Sequence, residues 1–256
     1  MFKYSVLQRM TFTAMMFALY VIATRFIMVP VTNYVRLSAG IAILIFSSIL
    51  LGPISGALVG AGGDLVGALL VPYMGLTINP FMTLSYGLMG ATPGFIMLLF
   101  RHFKNKNKIY SVLFFSLLLV IFVSLTVYMS ISESVTLFEH EFKINLIGRI
   151  VAPIIAFIIL GLLALFTYFL NQRFKKKREI YPKLPSPYQI SFIVVIIEVV
   201  FTLFINIFAK MWIMEVPDFS VIFFPSLFLA FIYIPLNTII VSYLCLLSVK
   251  IIKVRE

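Results

Sequence analysis

Eight long apolar runs, separated by short polar or basic connections, dominate the chain and leave few folds open to it. Residues 109–130 and 221–249 contain no Asp, Glu, Lys or Arg at all. A hydrocarbon core about 30 Å thick is crossed by roughly 20 apolar residues in a helix, whose backbone groups bond internally; lipid admits no open sheet edge. In a 256-residue chain that is 62% hydrophobic and 11% charged, with a mean hydropathy of +1.12, such runs exclude a water-soluble enzyme or nucleic-acid-binding domain. The expected fold is therefore all-α: a polytopic membrane helical bundle forming a single transmembrane domain over residues 1–256.

Charges, Pro and Gly divide the apolar runs into spans at 11–29, 39–51, 54–71, 81–100, 109–130, 147–170, 190–213 and 221–249. The second is short, and only Leu51, Gly52 and Pro53 part it from the third, so the pair is expected to form a helical hairpin. An even number of spans places both termini on one side. Fifteen of the 20 Lys and Arg fall there, against the +11 net charge of the chain, and the positive-inside rule makes that side cytoplasmic in a cell (plasma) membrane. Arg25, Arg36, Lys143, Arg149 and Lys210 remain at or beyond the outer half. The basic runs RHFKNKNK and RFKKKRE read first as topology signals and second as contacts for anionic membrane lipid. The single Cys245 excludes an internal disulfide, and the first apolar run is too long for a cleavable leader.

Four features stand out within the spans. Ala14 and Ala18 lie one helical turn apart on one face of the first span, a small-residue pair that suits either internal packing or the approach of a partner helix. Gly52, Gly56, Gly60, Gly63 and Gly67 make a smooth face on the third span, with Asp64 among them. An acid at membrane depth is costly unless paired, protonated or wet, so Asp64 either locks helices by hydrogen bonding or meets a ligand. Between spans one and two lie Asn33, Tyr34 and Arg36, and between spans three and four lie Tyr73, Thr77 and Asn79. Aromatic faces, amides and one cation suit a flat anionic ligand, although interfacial anchoring is the other reading. Glu198, Thr202, Asn206 and Lys210 recur every four residues on span seven, a polar stripe that must face helices or a cavity. Arg149 and Trp212 are candidates to join the same site.

Catalysis finds no support. His102 and His140 fall in loops on opposite sides, no hydrolase or zinc motif is present, and no cofactor or metal site is expected.

With these motifs in view, residues 11–100 resemble the substrate-binding S component of an energy-coupling factor (ECF) vitamin transporter, the folate branch most of all. The resemblance is carried by AMMFA, VRLSAG, LLGPISGALVGAGGDLVGALLVP and NPFMTLSYGLMG. It implies six helices holding one vitamin near the outer face. It also implies docking through the small residues of the first helix, here Ala14 and Ala18, onto a transmembrane coupling protein driven by two cytoplasmic ATPase subunits. Arg36, Tyr73, Asn79, Thr83 and Tyr86 then become substrate contacts, joined by Asn206 and Lys210, and Gly52, Gly56, Gly60, Asp64 and Gly67 become structural. A queuosine precursor, riboflavin or pantothenate is the alternative ligand, and a non-transporting membrane scaffold the alternative role; neither an enzyme nor nucleic-acid binding is expected.

The chain also departs from the family. It has one hairpin more than six helices require. Residues 109–170 are expected to be an extra or duplicated hairpin and 190–249 the family's last pair, although NLIGRIVAPI at 145–154 also resembles the final helix. Ser226, Leu227 and Phe228 follow Pro225 where folate-type members carry basic residues, and Ile43 stands where proline is frequent.

Overall fold

The computed structural model describes residues 4–30, 36–71, 78–99, 106–131, 134–137, 140–181, 184–214 and 219–253. The first helix, α1 (Val6–Val21), starts at a capping box in which Ser5 and Gln8 satisfy each other's backbone N–H groups. It continues as a π-helical turn, Ile22–Phe26. A short antiparallel hairpin follows, β1 (Met28–Pro30) on β2 (Arg36–Ser38). Next come α2 (Gly40–Leu51), α3 (Pro53–Leu70) and α4 (Pro80–Leu99). A second hairpin, β3 (Ser134–Leu137) on β4 (His140–Lys143), joins α5 (Lys106–Ile131) to α6 (Leu146–Ile180). Span seven is one rod in three parts: α7 (Pro187–Ile196), a π-helical stretch Ile197–Ile205, and α8 (Asn206–Met214). The last helix is α9 (Phe219–Lys253).

The protein is thus an all-α polytopic bundle, and seven of its helical rods are long and apolar enough to cross a membrane. The eighth predicted span, α2, has 12 residues, about 18 Å at 1.5 Å per residue, well short of a hydrocarbon core. Ten of those residues are buried, because α2 sits centrally against α1, α3, α4 and α9. Its apolarity reflects burial in protein on every side, which hydropathy alone does not separate from burial in lipid.

The turn joining α2 to α3 depends on Gly52, whose φ of 104° lies in the region that side chains disfavour, and Pro53 then starts α3 at the position where its missing N–H costs nothing. The Arg9 side chain closes this end by donating from Nε to the Leu51 carbonyl at 2.9 Å. On α3 the glycines serve two neighbours. A Cβ at Gly56 or Gly60 would run into the α4 backbone at Gly90 or Tyr86, so α3 and α4 touch nearly backbone to backbone. Gly63 faces the Tyr20 ring of α1, and Gly67 faces the Arg25 side chain. Across from them, the Gly94 N–H of α4 donates to Ser48 Oγ of α2 at 2.9 Å.

The hairpin α5–α6 lies to one side. It packs on α7, with α6 also touching α9, and only 12% and 18% of the apolar windows of α5 and α6 are buried, against 61% for span seven.

Candidate functional site

Polar side chains from α1, the first β-hairpin, α3, α4 and the last helical hairpin converge on one cavity. Tyr20, Thr24 and Arg25 reach it from α1 and its π turn, Asp64 from α3, and Tyr86 from α4. Thr202, Asn206 and Lys210 reach it from span seven, with Ser226, Leu229 and Tyr233 from α9. Ser38, Ile41 and Met89 complete the lining; no described residue of α5 or α6 takes part. The space is about 80 Å³, room for about half a dozen waters.

One wall is an ion pair. Arg25 Nη2 lies 3.1 Å from Asp64 Oδ1, with the two side chains 6% and 11% exposed, and it also donates to the Asp64 carbonyl at 3.3 Å. The second carboxylate oxygen accepts from Thr83 Oγ1 at 2.9 Å. Asp64 therefore ties α1, α3 and α4 together, and its charge is matched inside the bundle as an acid at membrane depth requires. Thr24, just before Arg25, returns its hydroxyl to the Tyr20 carbonyl at 2.8 Å within the wide turn.

The opposite wall is the stripe on span seven. In an α-helix, residues four apart overshoot a full turn and drift around the rod; in a π stretch bonded five residues apart they fall short of one. The π segment thus offsets the drift and keeps Thr202, Asn206 and Lys210 on the cavity side. Asn206 Oδ1 accepts from Ser85 Oγ of α4 at 2.7 Å. Glu198, one turn deeper, is fully buried and accepts from Asn237 Nδ2 of α9 at 3.3 Å. On α9, Tyr233 Oη accepts the Ser38 N–H at 2.6 Å, which fixes the first hairpin over the cavity.

Of the residues singled out in the sequence, Arg25, Asp64, Tyr86, Thr202, Asn206 and Lys210 line this cavity. Thr83 does not, since its hydroxyl is bonded to Asp64. Asn79 caps α4, accepting from the N–H groups of Phe81 and Met82 at 2.9 and 3.2 Å. Asn33, Tyr34, Tyr73 and Thr77 lie outside the described residues, and Arg36 is placed by its backbone alone, paired with Pro30. Arg149 and Trp212 are exposed, the latter at 78%, and neither lines the cavity. Sequence reasoning missed Tyr20, Thr24, Ser226 and Tyr233. A signal existed: Tyr20 and Thr24 are four apart, and Ser226 and Tyr233 seven apart, so each pair shares a face of an otherwise apolar helix.

The opposite face of α1 is different in kind. Ala14 and Ala18 are exposed. An apolar groove of about 470 Å³ runs beside them between α1 and α3, walled by Met10, Ala14, Phe17, Ile54 and Leu58 and ended by Arg9.

A polar cavity inside a bundle of membrane-length helices, with a small-residue face exposed alongside, defines a polytopic membrane protein of the substrate-binding kind. The sequence matches the family described as ECF-type riboflavin transporter, S component, over residues 5–166. That is well over half the chain, and the chain belongs to this family of membrane-embedded components of ECF transporters. No curated protein and no solved structure matches it.

Proposed function

We propose that the protein captures a flat, aromatic, water-soluble vitamin in the cavity between α1, α3, α4, span seven and α9, and passes it inward as part of an ECF-type importer. The observation that carries this reading is the cavity itself: Tyr20, Tyr86 and Tyr233 supply ring faces, while Ser38, Asn206 and Lys210 supply polar partners. A ring system of this class is larger than the space of about 80 Å³, so it lies among the tyrosines only when the surrounding helices part to admit it. Riboflavin is the first candidate, being the ligand in the matching family's description, and its neutral ring and hydroxylated chain suit amides and hydroxyls. An anionic, folate-like compound is the second, favoured by one observation: with Arg25 paired to Asp64, Lys210 adds a cation to the lining.

In this reading the cavity end of the bundle faces outward, the short α2 carries the chain back from the first hairpin to the Arg9 end, where Leu51 meets it, and both termini are cytoplasmic in the plasma membrane. Arg36, Asn33, Tyr34, Tyr73 and Thr77 are further proposed contacts of the ligand. Ala14 and Ala18, exposed beside the α1–α3 groove, receive a helix of the transmembrane coupling protein, which two ATPase subunits energise. The hairpin 190–249 supplies the last two helices of the six-helix core, since span seven and α9 complete the cavity; 109–170 is the added hairpin. The family match nevertheless runs on to residue 166. That match covers α1 to α6 and favours the rival assignment, in which 109–170 is the family's last pair and 190–249 the added one.

Native mass spectrometry of gently purified protein, with and without added riboflavin and folate, tests the reading. A one-to-one complex with either vitamin is expected; protein that stays bare with every aromatic vitamin offered in excess would contradict it.

A further inference from the structure

The groove between α1 and α3 lies open at membrane depth. Met10, Ile54 and Leu58 on its walls are 65%, 71% and 61% exposed. From Arg9 to Phe17 along α1 it is about 12 Å long at 1.5 Å rise per residue. At the far end the Phe17 ring reaches Gly62 of α3, where a Cβ would meet it at 2.8 Å, so the two helices touch and the groove stops. At the near end stands Arg9. Its Nε and Nη2 both donate to the Leu51 carbonyl, a neutral acceptor, and no described carboxylate pairs with it, since the one ion pair among the described residues joins Arg25 to Asp64. The rod Val6–Phe26 has 21 residues, about 31 Å, which just spans a hydrocarbon core, so an Arg one turn from its start holds its charge in the headgroup layer.

Water does not fill an apolar groove inside hydrocarbon, and an empty one forfeits dispersion contacts along both walls. We infer that in the chain on its own this groove holds an acyl chain of an anionic phospholipid whose headgroup phosphate meets Arg9. A flexible chain follows the uneven wall of Met10, Ala14 and Leu58 and ends against Phe17. At the other end Nη1 of Arg9 remains to donate to a phosphate oxygen, a charge-assisted bond that the Leu51 carbonyl cannot match. The proposed docking of a coupling-protein helix at Ala14 and Ala18 uses the same face. The inference rests on that reading only in adding that such a helix displaces a lipid; lipid binding by the isolated chain holds or fails without it.

Native mass spectrometry of the full chain, released from micelles carrying equal amounts of dioleoylphosphatidylglycerol and dioleoylphosphatidylcholine, tests it with neither vitamin nor coupling protein present. The two lipids have the same chains, so any selection reports the headgroup. The first lipid retained is expected to favour the anionic one by about fivefold, the scale of one basic side chain at an anionic surface. Arg9→Gln and Ala14→Trp, the second filling the groove without giving up a hydrogen bond, should each bring the ratio to parity, while Arg9→Lys keeps it. The triple variant Arg173→Gln, Lys175→Gln, Lys176→Gln, at the exposed basic end of α6, should leave it unchanged. Parity in the wild type would overturn the inference. So would selection that survives Arg9→Gln or Ala14→Trp, or that vanishes in the α6 variant. Where Arg9→Gln does not fold, the wild type and Ala14→Trp decide the matter.

Discussion

Asp64 illustrates how one residue can be legible in a sequence while its role is not. An acid within a glycine-rich apolar span must be paired or wet, so its importance follows from the sequence alone. Its partner Arg25 is 39 residues away, at the end of α1, where the basic count placed it only as one of five outer cations. The pairing rests on the π turn, which no local pattern announces. A buried pair broken on one side leaves an uncompensated charge, so Arg25→Met is expected to cost about 3–5 kcal/mol. The double variant Arg25→Met with Asp64→Leu should recover much of that loss, because apolar groups of similar volume replace the pair. Thermal unfolding of the three proteins checks this; a double variant no more stable than Arg25→Met would contradict it. Lys210 separates the two ligand readings at the same scale. Lys210→Met should weaken an anionic vitamin by about tenfold or more, on the scale of a lost charge-assisted contact, and leave riboflavin affinity nearly unchanged, as equilibrium titration would show.

Among the elements, the helices were legible and the strands were not. Spans follow from apolar length, and their predicted centres agree with the structure. The strands Met28–Pro30 and Ser134–Leu137 are three and four residues long, defined by pairing across a turn more than by their own composition. The glycine spacing on α3 reads as one smooth face, yet the face divides, with Gly56 and Gly60 toward α4 and Gly63 and Gly67 toward α1. Gly60→Val is therefore expected to force α3 from the α4 backbone, beyond the 1–3 kcal/mol typical of overpacking. Loss of the monodisperse protein on size exclusion checks it, and an unaltered profile would contradict backbone contact. The exposed face of α1 carries a different expectation. Ala14→Trp with Ala18→Trp should leave vitamin affinity intact while abolishing uptake and co-purification with the coupling protein, and uptake that survives the pair would remove these residues from docking.

For the whole molecule, the decisive arrangement is that helices distant in sequence, α1, α3 and α4 from one half and span seven and α9 from the other, enclose a polar space that no described residue of α5 or α6 lines. The sequence led us to expect a hairpin beyond six helices and a polar stripe on span seven. It did not show that the stripe faces the first four helices, because that depends on which pair docks against them. Tyr233 on Ser38 and Asn206 on Ser85 record that docking, and each joins residues more than a hundred positions apart, beyond the reach of any periodicity. If this space is the vitamin site, filling it must abolish binding without unfolding the protein. Leu229, on the α9 wall, is the position to fill, since it gives up no polar partner. The direct test is a riboflavin titration, followed by flavin fluorescence, of wild-type protein and the folded Leu229→Trp variant. Saturable one-to-one binding by wild type and loss of binding in the variant is the result this account predicts; equal affinity in the two proteins would contradict it.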